Sequence, residues 1–287
     1  MYTLSFWIPQ IGISRKSLKT LLSFGVPFQT NTFLSLIKDD LILFYLGRVV
    51  GLDGLAYIGW AKRWAESPIR IIMDNVSKIL FPVFARIQTE RERVGILIGK
   101  VLRLQTMILA PIFVGMALLL DEAVQLIPKY NKWEVAIPLF YIIMISAFFS
   151  SYSTPFTNLF NAVGKVKTTF KFMLYWTVMS WISIPLFTHL FGLYGYPISL
   201  VILSLTFVVI IPIARRIVDF QFLPNVLPAI VSSLIMGVAV YFTTLGAVNW
   251  LNIGISIAVG VLIYIASLKI FFKVSVSKEV QLFLKYE

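Results

Sequence analysis

Apolar residues run along this chain in long blocks, not in the short alternations of half-buried strands. Eight blocks can be drawn, approximately Leu18–Leu46, Leu55–Ala85, Leu97–Leu120, Val135–Asn161, Phe170–Phe191, Tyr196–Arg215, Pro224–Leu245 and Asn249–Phe271. Each reaches the roughly 20 residues a helix needs to cross a hydrocarbon layer about 30 Å thick. The pieces between them are short, such as Gly192-Leu-Tyr-Gly195 and Gly246-Ala-Val248, so no soluble domain interrupts the bundle. The predicted fold class is all-α, a polytopic membrane helical bundle of about eight transmembrane helices.

Composition agrees. The 287 residues are 59% hydrophobic and only 13% charged, with a mean hydropathy of +0.87. A soluble domain averages about 45–50% apolar and about 25% charged residues. The chain has no cysteine, which excludes disulfide frameworks, thiolate metal sites and cysteine nucleophiles. A net charge of +12 would suggest nucleic acid in a soluble protein; here it reads as cations facing the cytoplasm, and no nucleic-acid partner is expected. Met1 to Gln10 lack the basic start and cleavage site of a signal peptide and are expected to be mature chain.

The basic residues set an orientation. With a cytoplasmic N-terminus, the inner side carries Arg15, Lys16, Lys19, Arg86, Arg91, Arg93, Lys100, Arg103, Lys165, Lys167, Lys171, Arg215, Arg216, Lys269, Lys273, Lys278 and Lys285. The outer side holds only Arg48, Lys129 and Lys132, a strong positive-inside bias that places both termini in the cytoplasm. The expected organisation is a cytoplasmic segment 1–17, a six-helix lobe 18–216, an additional helix pair 217–272 and a cytoplasmic tail 273–287. Prolines fall inside many spans (Pro27, Pro68, Pro82, Pro111, Pro138, Pro155, Pro185), where each removes a backbone hydrogen bond that neighbouring spans can replace.

Five basic residues remain, and all lie within the first two spans. Lys62, Glu66, Arg70, Asp74 and Lys78 are each four apart and alternate in sign. With Arg63, Ser67 and Ser77 they occupy roughly a 160° arc of one helix. Pairing at i, i+4 is worth about 0.2–0.5 kcal/mol, whereas a charge facing lipid at the bilayer centre costs at least about 2.5–3.5 kcal/mol. That face is therefore expected to line water or protein. Two bland readings compete: an amphipathic helix flat on the membrane, and a static ion-pair ladder that only fixes packing. In the first span, Asn31, Ser35, Lys38 and Asp39 share an arc of about 100°, with snorkelling to the interface as the alternative for the charged pair.

The substrate-pathway candidates are Lys62, Arg63, Glu66, Arg70, Asp74, Lys78, Lys38, Asp39 and Asn31. Cations of this kind suit a phosphate-bearing lipid headgroup, because arginine's planar fork matches phosphate oxygens. Catalysis is not expected. The single histidine, His189, sits near a span end, and neither an HExxH motif nor a glycine-rich phosphate loop is present. No cofactor and no metal are expected.

Several short motifs carry a family resemblance. Leu18-Lys-Thr-Leu-Leu-Ser-Phe-Gly-Val-Pro27, Leu55-Ala-Tyr-Ile-Gly-Trp-Ala61, Ile79-Leu-Phe-Pro-Val-Phe-Ala-Arg86, Lys132-Trp-Glu-Val-Ala136 and Asn161-Ala-Val-Gly-Lys165 stand in the order and spacing of one family. They resemble the polysaccharide-exporter branch of the multidrug/oligosaccharidyl-lipid/polysaccharide (MOP) superfamily, the oligosaccharide flippases; Ala56 departs from the usual glycine. The resemblance implies the second lobe of a two-lobed transporter plus a C-terminal helix pair, without the first six helices. It also implies flipping of a polyprenyl-pyrophosphate-linked oligosaccharide across the cytoplasmic membrane for cell-surface polysaccharide synthesis. The expected partners are the lipid-linked oligosaccharide, membrane lipids, and either a first lobe or a second copy of the chain to close the pathway. A drug or cation exporter of the same superfamily, and an inactive membrane scaffold, are the alternatives.

Overall fold

The computed structural model describes residues 14–246 and 248–273; expectations for residues 1–13 and for the tail from Val274 onward, including Lys278 and Lys285, lie outside the described residues. Among the described residues there are helices and turns but no strand. Ser14 caps the first helix, α1 (Arg15–Leu36), by accepting from the Ser17 N–H. A π-helical turn, Ile37–Leu41, joins α1 to α2 (Ile42–Val49) in one continuous rod. Gly51, at φ +74°, makes the reversal into α3 (Gly51–Ile87). Then follow α4 (Arg91–Leu126), a 3₁₀ turn at Asn131–Ala136, α5 (Ile137–Ser151) and α6 (Ser153–Ala162). The chain ends with α7 (Val166–Phe191), α8 (Gly195–Leu205), α9 (Phe207–Arg215), α10 (Leu223–Thr244) and α11 (Trp250–Phe272).

These elements follow the eight apolar blocks, with two breaks inside blocks. One lies at Tyr152, where Pro155 withholds the N–H that would bond the Ser151 carbonyl. The other lies at Thr206, whose hydroxyl donates to the Leu203 carbonyl at 2.6 Å and competes with the helix ladder. Among the described residues, five helical stretches have the length and apolarity of a membrane span: Arg91–Leu126, Asn131–Ala162, Val166–Arg215, Leu223–Thr244 and Trp250–Phe272. The third holds two rods, because the chain folds back at Gly192 and α8 packs against α7. The backbones approach so closely there that a Cβ on Gly195 would overlap the Phe187 carbonyl. The two N-terminal rods, 15–49 and 51–87, are long enough to cross but fall short of the apolarity of the other five stretches, and both carry charged residues in their interiors.

The two largest cores among the described residues lie one toward each end of the bundle. One gathers Leu80, Phe84, Leu97, Tyr152, Phe156, Phe207 and Ala214; the other gathers Leu46, Ile58, Ala61, Leu120, Ala136, Phe140 and Tyr196. Helix α3 enters both, packing on α5 along one half and on α6 along the other. It therefore runs the length of the apolar α5–α6 stretch. Helices α10 and α11 pack mainly on each other and on α4.

Candidate translocation site

Helix α3 is 37 residues long, or about 55 Å at 1.5 Å per residue. Arg70 stands near its midpoint, and Lys62 to Lys78 spans about 24 Å around it, within the thickness of a hydrocarbon core. The structure divides this polar arc three ways. Lys62 and Glu66 turn inward, with side chains 19% and 27% exposed. Ser77 turns to α6, where it accepts from the Asn158 side-chain amide at 3.1 Å. Arg63, Arg70, Asp74 and Lys78 remain on an open flank.

Glu66 joins the inward and outward groups. One of its oxygens lies 3.8 Å from the Lys62 ammonium, and the other accepts from the Arg70 guanidinium at 2.8 Å. Arg70 is 62% exposed. Exposed pairs of this type contribute little stability, so the flank is better read as available charge than as a structural clamp.

The inward pair opens a cavity of about 260 Å³ between the first rod and α3, α5, α6, α7 and α8. Lys38 and Asp39 reach it from the π-helical turn, where they form an ion pair with each other. Such turns insert one extra residue into a helix and frequently mark functional sites. Helix α7 holds the turn in place: the Trp181 indole N–H donates to the Ile37 carbonyl at 3.1 Å, and the Thr177 hydroxyl lies 3.3 Å from the Leu34 carbonyl.

The remaining polar wall was not singled out in the sequence. Ser146, Ser150, Ser153, Ser180 and Ser204 line the cavity, with Trp176 and Tyr196. Ser146 donates to the Leu200 carbonyl at 2.9 Å, Ser150 to Ala147 at 3.0 Å and Ser204 to Val201 at 2.7 Å. A hydroxyl that has donated to backbone still offers its oxygen as an acceptor. The signal that could have found this wall is the helical spacing of Ser146, Ser150 and Ser153 within an otherwise apolar block.

Of the nine candidate residues, the structure brings Lys38, Asp39, Lys62 and Glu66 together around the cavity and sets Arg63, Arg70, Asp74 and Lys78 on the flank. Asn31 lies apart from both groups; it is buried, and neither end of its side-chain amide has a hydrogen-bond partner. Among the described residues, no cluster of three or more metal-ligating side chains occurs.

A bundle of apolar rods around internal charge, with a charged flank midway along one helix, defines a polytopic membrane protein. Comparison with known proteins agrees. Residues 1–138 match the family described as polysaccharide biosynthesis protein. The lipopolysaccharide biosynthesis protein WzxC of Escherichia coli K12 is 24% identical over 171 residues, 60% of this chain and 35% of that protein. The succinoglycan biosynthesis transport protein ExoT of Rhizobium meliloti is 22% identical over 165 residues, 58% of this chain and 33% of that protein. The fold is that of the lipid II flippase MurJ in its inward closed conformation, with a TM-score of 0.72 and 18% identity over 92% of this chain and 57% of that one. The resemblance to the polysaccharide flippases read from the motifs is thereby borne out. The chain spans about a third of the length of the curated relatives it matches.

Proposed function

We propose that the chain supplies one lobe of a flippase that carries lipid-linked oligosaccharide across the cytoplasmic membrane for cell-surface polysaccharide synthesis. The observation that carries this reading is the row Arg63, Arg70, Asp74 and Lys78, open along the middle of a helix that runs beside apolar, membrane-length neighbours. Left against lipid, each charge would cost at least about 2.5–3.5 kcal/mol. Facing a wet interior, the same row gives a phosphorylated headgroup cationic contacts along its path while the polyprenyl tail stays in the hydrocarbon. The names of the relatives and neighbours, which include a flippase and a transport protein, support the reading.

In this reading, residues 18–216 form the transporting lobe, 217–272 form an added helix pair, and the basic end of the bundle with both termini faces the cytoplasm. The flank is closed by a first lobe or by a second copy of this chain.

The test is reconstitution into vesicles with a fluorescent polyprenyl-pyrophosphate saccharide, with the full chain alone and with a candidate first lobe. Exposure of the saccharide to a membrane-impermeant quencher should accelerate over protein-free vesicles, and Arg70→Ala should slow it at least fivefold. A rate equal to that of protein-free vesicles under both conditions refutes the proposal.

A further inference from the structure

We infer that the cavity between the π-helical turn and α3, α5, α6, α7 and α8 is a carbohydrate subsite, taking one neutral, polyhydroxylated ring of the glycan. The inference rests on the flippase reading above and adds where the sugar is read.

The lining itself selects among ligand classes. Two ammonium groups, Lys38 and Lys62, share the cavity with two carboxylates, Asp39 and Glu66, so its formal charge is zero. An alkali or divalent cation would lie beside two tethered ammoniums, and a phosphate would lie beside two carboxylates; each is opposed by like charge among the groups that line the cavity. An acyl chain would cover five serine oxygens and the charged pairs without offering them a hydrogen bond, which costs free energy at each group. A sugar ring answers both kinds of group, because every hydroxyl both donates and accepts. Its hydroxyls can donate to Asp39, Glu66 and the serine oxygens and accept from the lysines. Its C–H face meets an apolar wall that includes Ile143, Met173, Ile184 and Leu203.

Size agrees. A water needs about 10–15 Å³ of such space, so 260 Å³ has room for well over a dozen water-sized groups, more than the dozen or so heavy atoms of a hexose. Position agrees as well. Glu66 belongs to the cavity through Lys62 and to the flank through Arg70. A glycan whose phosphates ride on the flank would thus have a sugar within reach of the cavity through this one carboxylate. The π-helical turn gives Lys38 and Asp39 their place in the wall, and Trp181 and Thr177 hold that turn from α7 before any ligand arrives.

The experiment uses the full chain in lipid nanodiscs with methyl glycosides of a neutral hexose and an N-acetylhexosamine, read by saturation-transfer NMR. Saturation transfer above empty nanodiscs is expected, falling at least fivefold in Glu66→Gln and in Ser180→Leu, which fills the cavity. Lys129→Gln, in the exposed turn after α4 and outside the cavity lining, should leave it unchanged. Circular dichroism and thermal unfolding establish that the variants are folded, and Glu66→Gln preserves shape should the leucine disturb packing. No transfer above empty nanodiscs overturns the inference. So does sodium or inorganic phosphate binding, by ²³Na or ³¹P line broadening, that is lost in the same two variants while the glycosides show none. Sugar binding without flipping in the vesicle assay refutes the transport reading alone. Flipping at full rate in Ser180→Leu, for a glycan built of the same sugars, refutes the subsite alone.

Discussion

The phenol of Tyr264 donates a hydrogen bond to the backbone carbonyl of Met107 at 2.8 Å, across 157 residues of chain. Met107 is the residue four before Pro111, which has no N–H to give it. A donor on α11 therefore replaces the bond that the proline removed from α4, the kind of repair that lets membrane helices tolerate proline. The same contact ties the C-terminal helix pair to the rest of the bundle. Tyr264→Phe should destabilise the chain by about 1–3 kcal/mol, the cost of a buried acceptor left unpaired. In a Pro111→Ala background the introduced alanine supplies the missing N–H, and the penalty of Tyr264→Phe should shrink. A thermal-unfolding double-mutant cycle measures that coupling, and strictly additive losses would refute the repair.

Pro68 in α3 likewise leaves the Trp64 carbonyl without its helical donor, and there the Ser67 hydroxyl donates at 3.0 Å. Because this carbonyl lies beside the open flank, water can replace the hydroxyl. Ser67→Ala should therefore cost only about 0.5 kcal/mol, clearly less than Tyr264→Phe in the same unfolding assay.

The π-helical turn depends on α7. Replacing Trp181 with Phe removes the donor to the Ile37 carbonyl and should lower stability by about 1 kcal/mol. If the turn positions Lys38 and Asp39 for the cavity, glycoside binding should fall at the same time, and the two readouts should move together. Loss of stability with unaltered glycoside binding would separate the turn from the site.

Gly95 in α4 lies so close against the carbonyl of Asp219 that an added Cβ would overlap its oxygen. Backbone cannot rotate away as a side chain does. Gly95→Ala should cost about 1–3 kcal/mol or more through overpacking, whereas Gly115→Ala, with open space around it, should be neutral or slightly stabilising. Chemical or thermal unfolding of the two variants in detergent gives the comparison.

The absence of native cysteine allows α3 to be scanned directly. Cysteines at Arg63, Arg70, Asp74 and Lys78 should react quickly with a charged, membrane-impermeant thiol reagent in reconstituted vesicles. Those at Ala65, Met73 and Leu80, which are buried, should react at least tenfold more slowly. Uniform protection along the helix would mean that the flank faces neither water nor a wet cavity.

Everything that local composition controls was legible before the chain was folded. Blocks of apolar residues specify helices of membrane length, because buried backbone in lipid must satisfy itself within the helix, and the block boundaries at Gly51, Gly192 and Gly195 follow from that alone. The sign-alternating ladder from Lys62 to Lys78 could be read too, since its spacing of four is the helical repeat. How that ladder is used depends on packing across the bundle. A helical arc of roughly 160° is wide enough to face two environments, and only the placement of α5, α6 and α8 turned Lys62 and Glu66 into a cavity while leaving Arg70 outside. The helical spacing of Ser146, Ser150 and Ser153 was on the page as well, but what those serines face was not. Ser150 and Ser204 bond their own helices while Ser146 bonds the Leu200 carbonyl across the bundle, so the neighbours that packing supplies, not place in the chain, determine what each serine can meet.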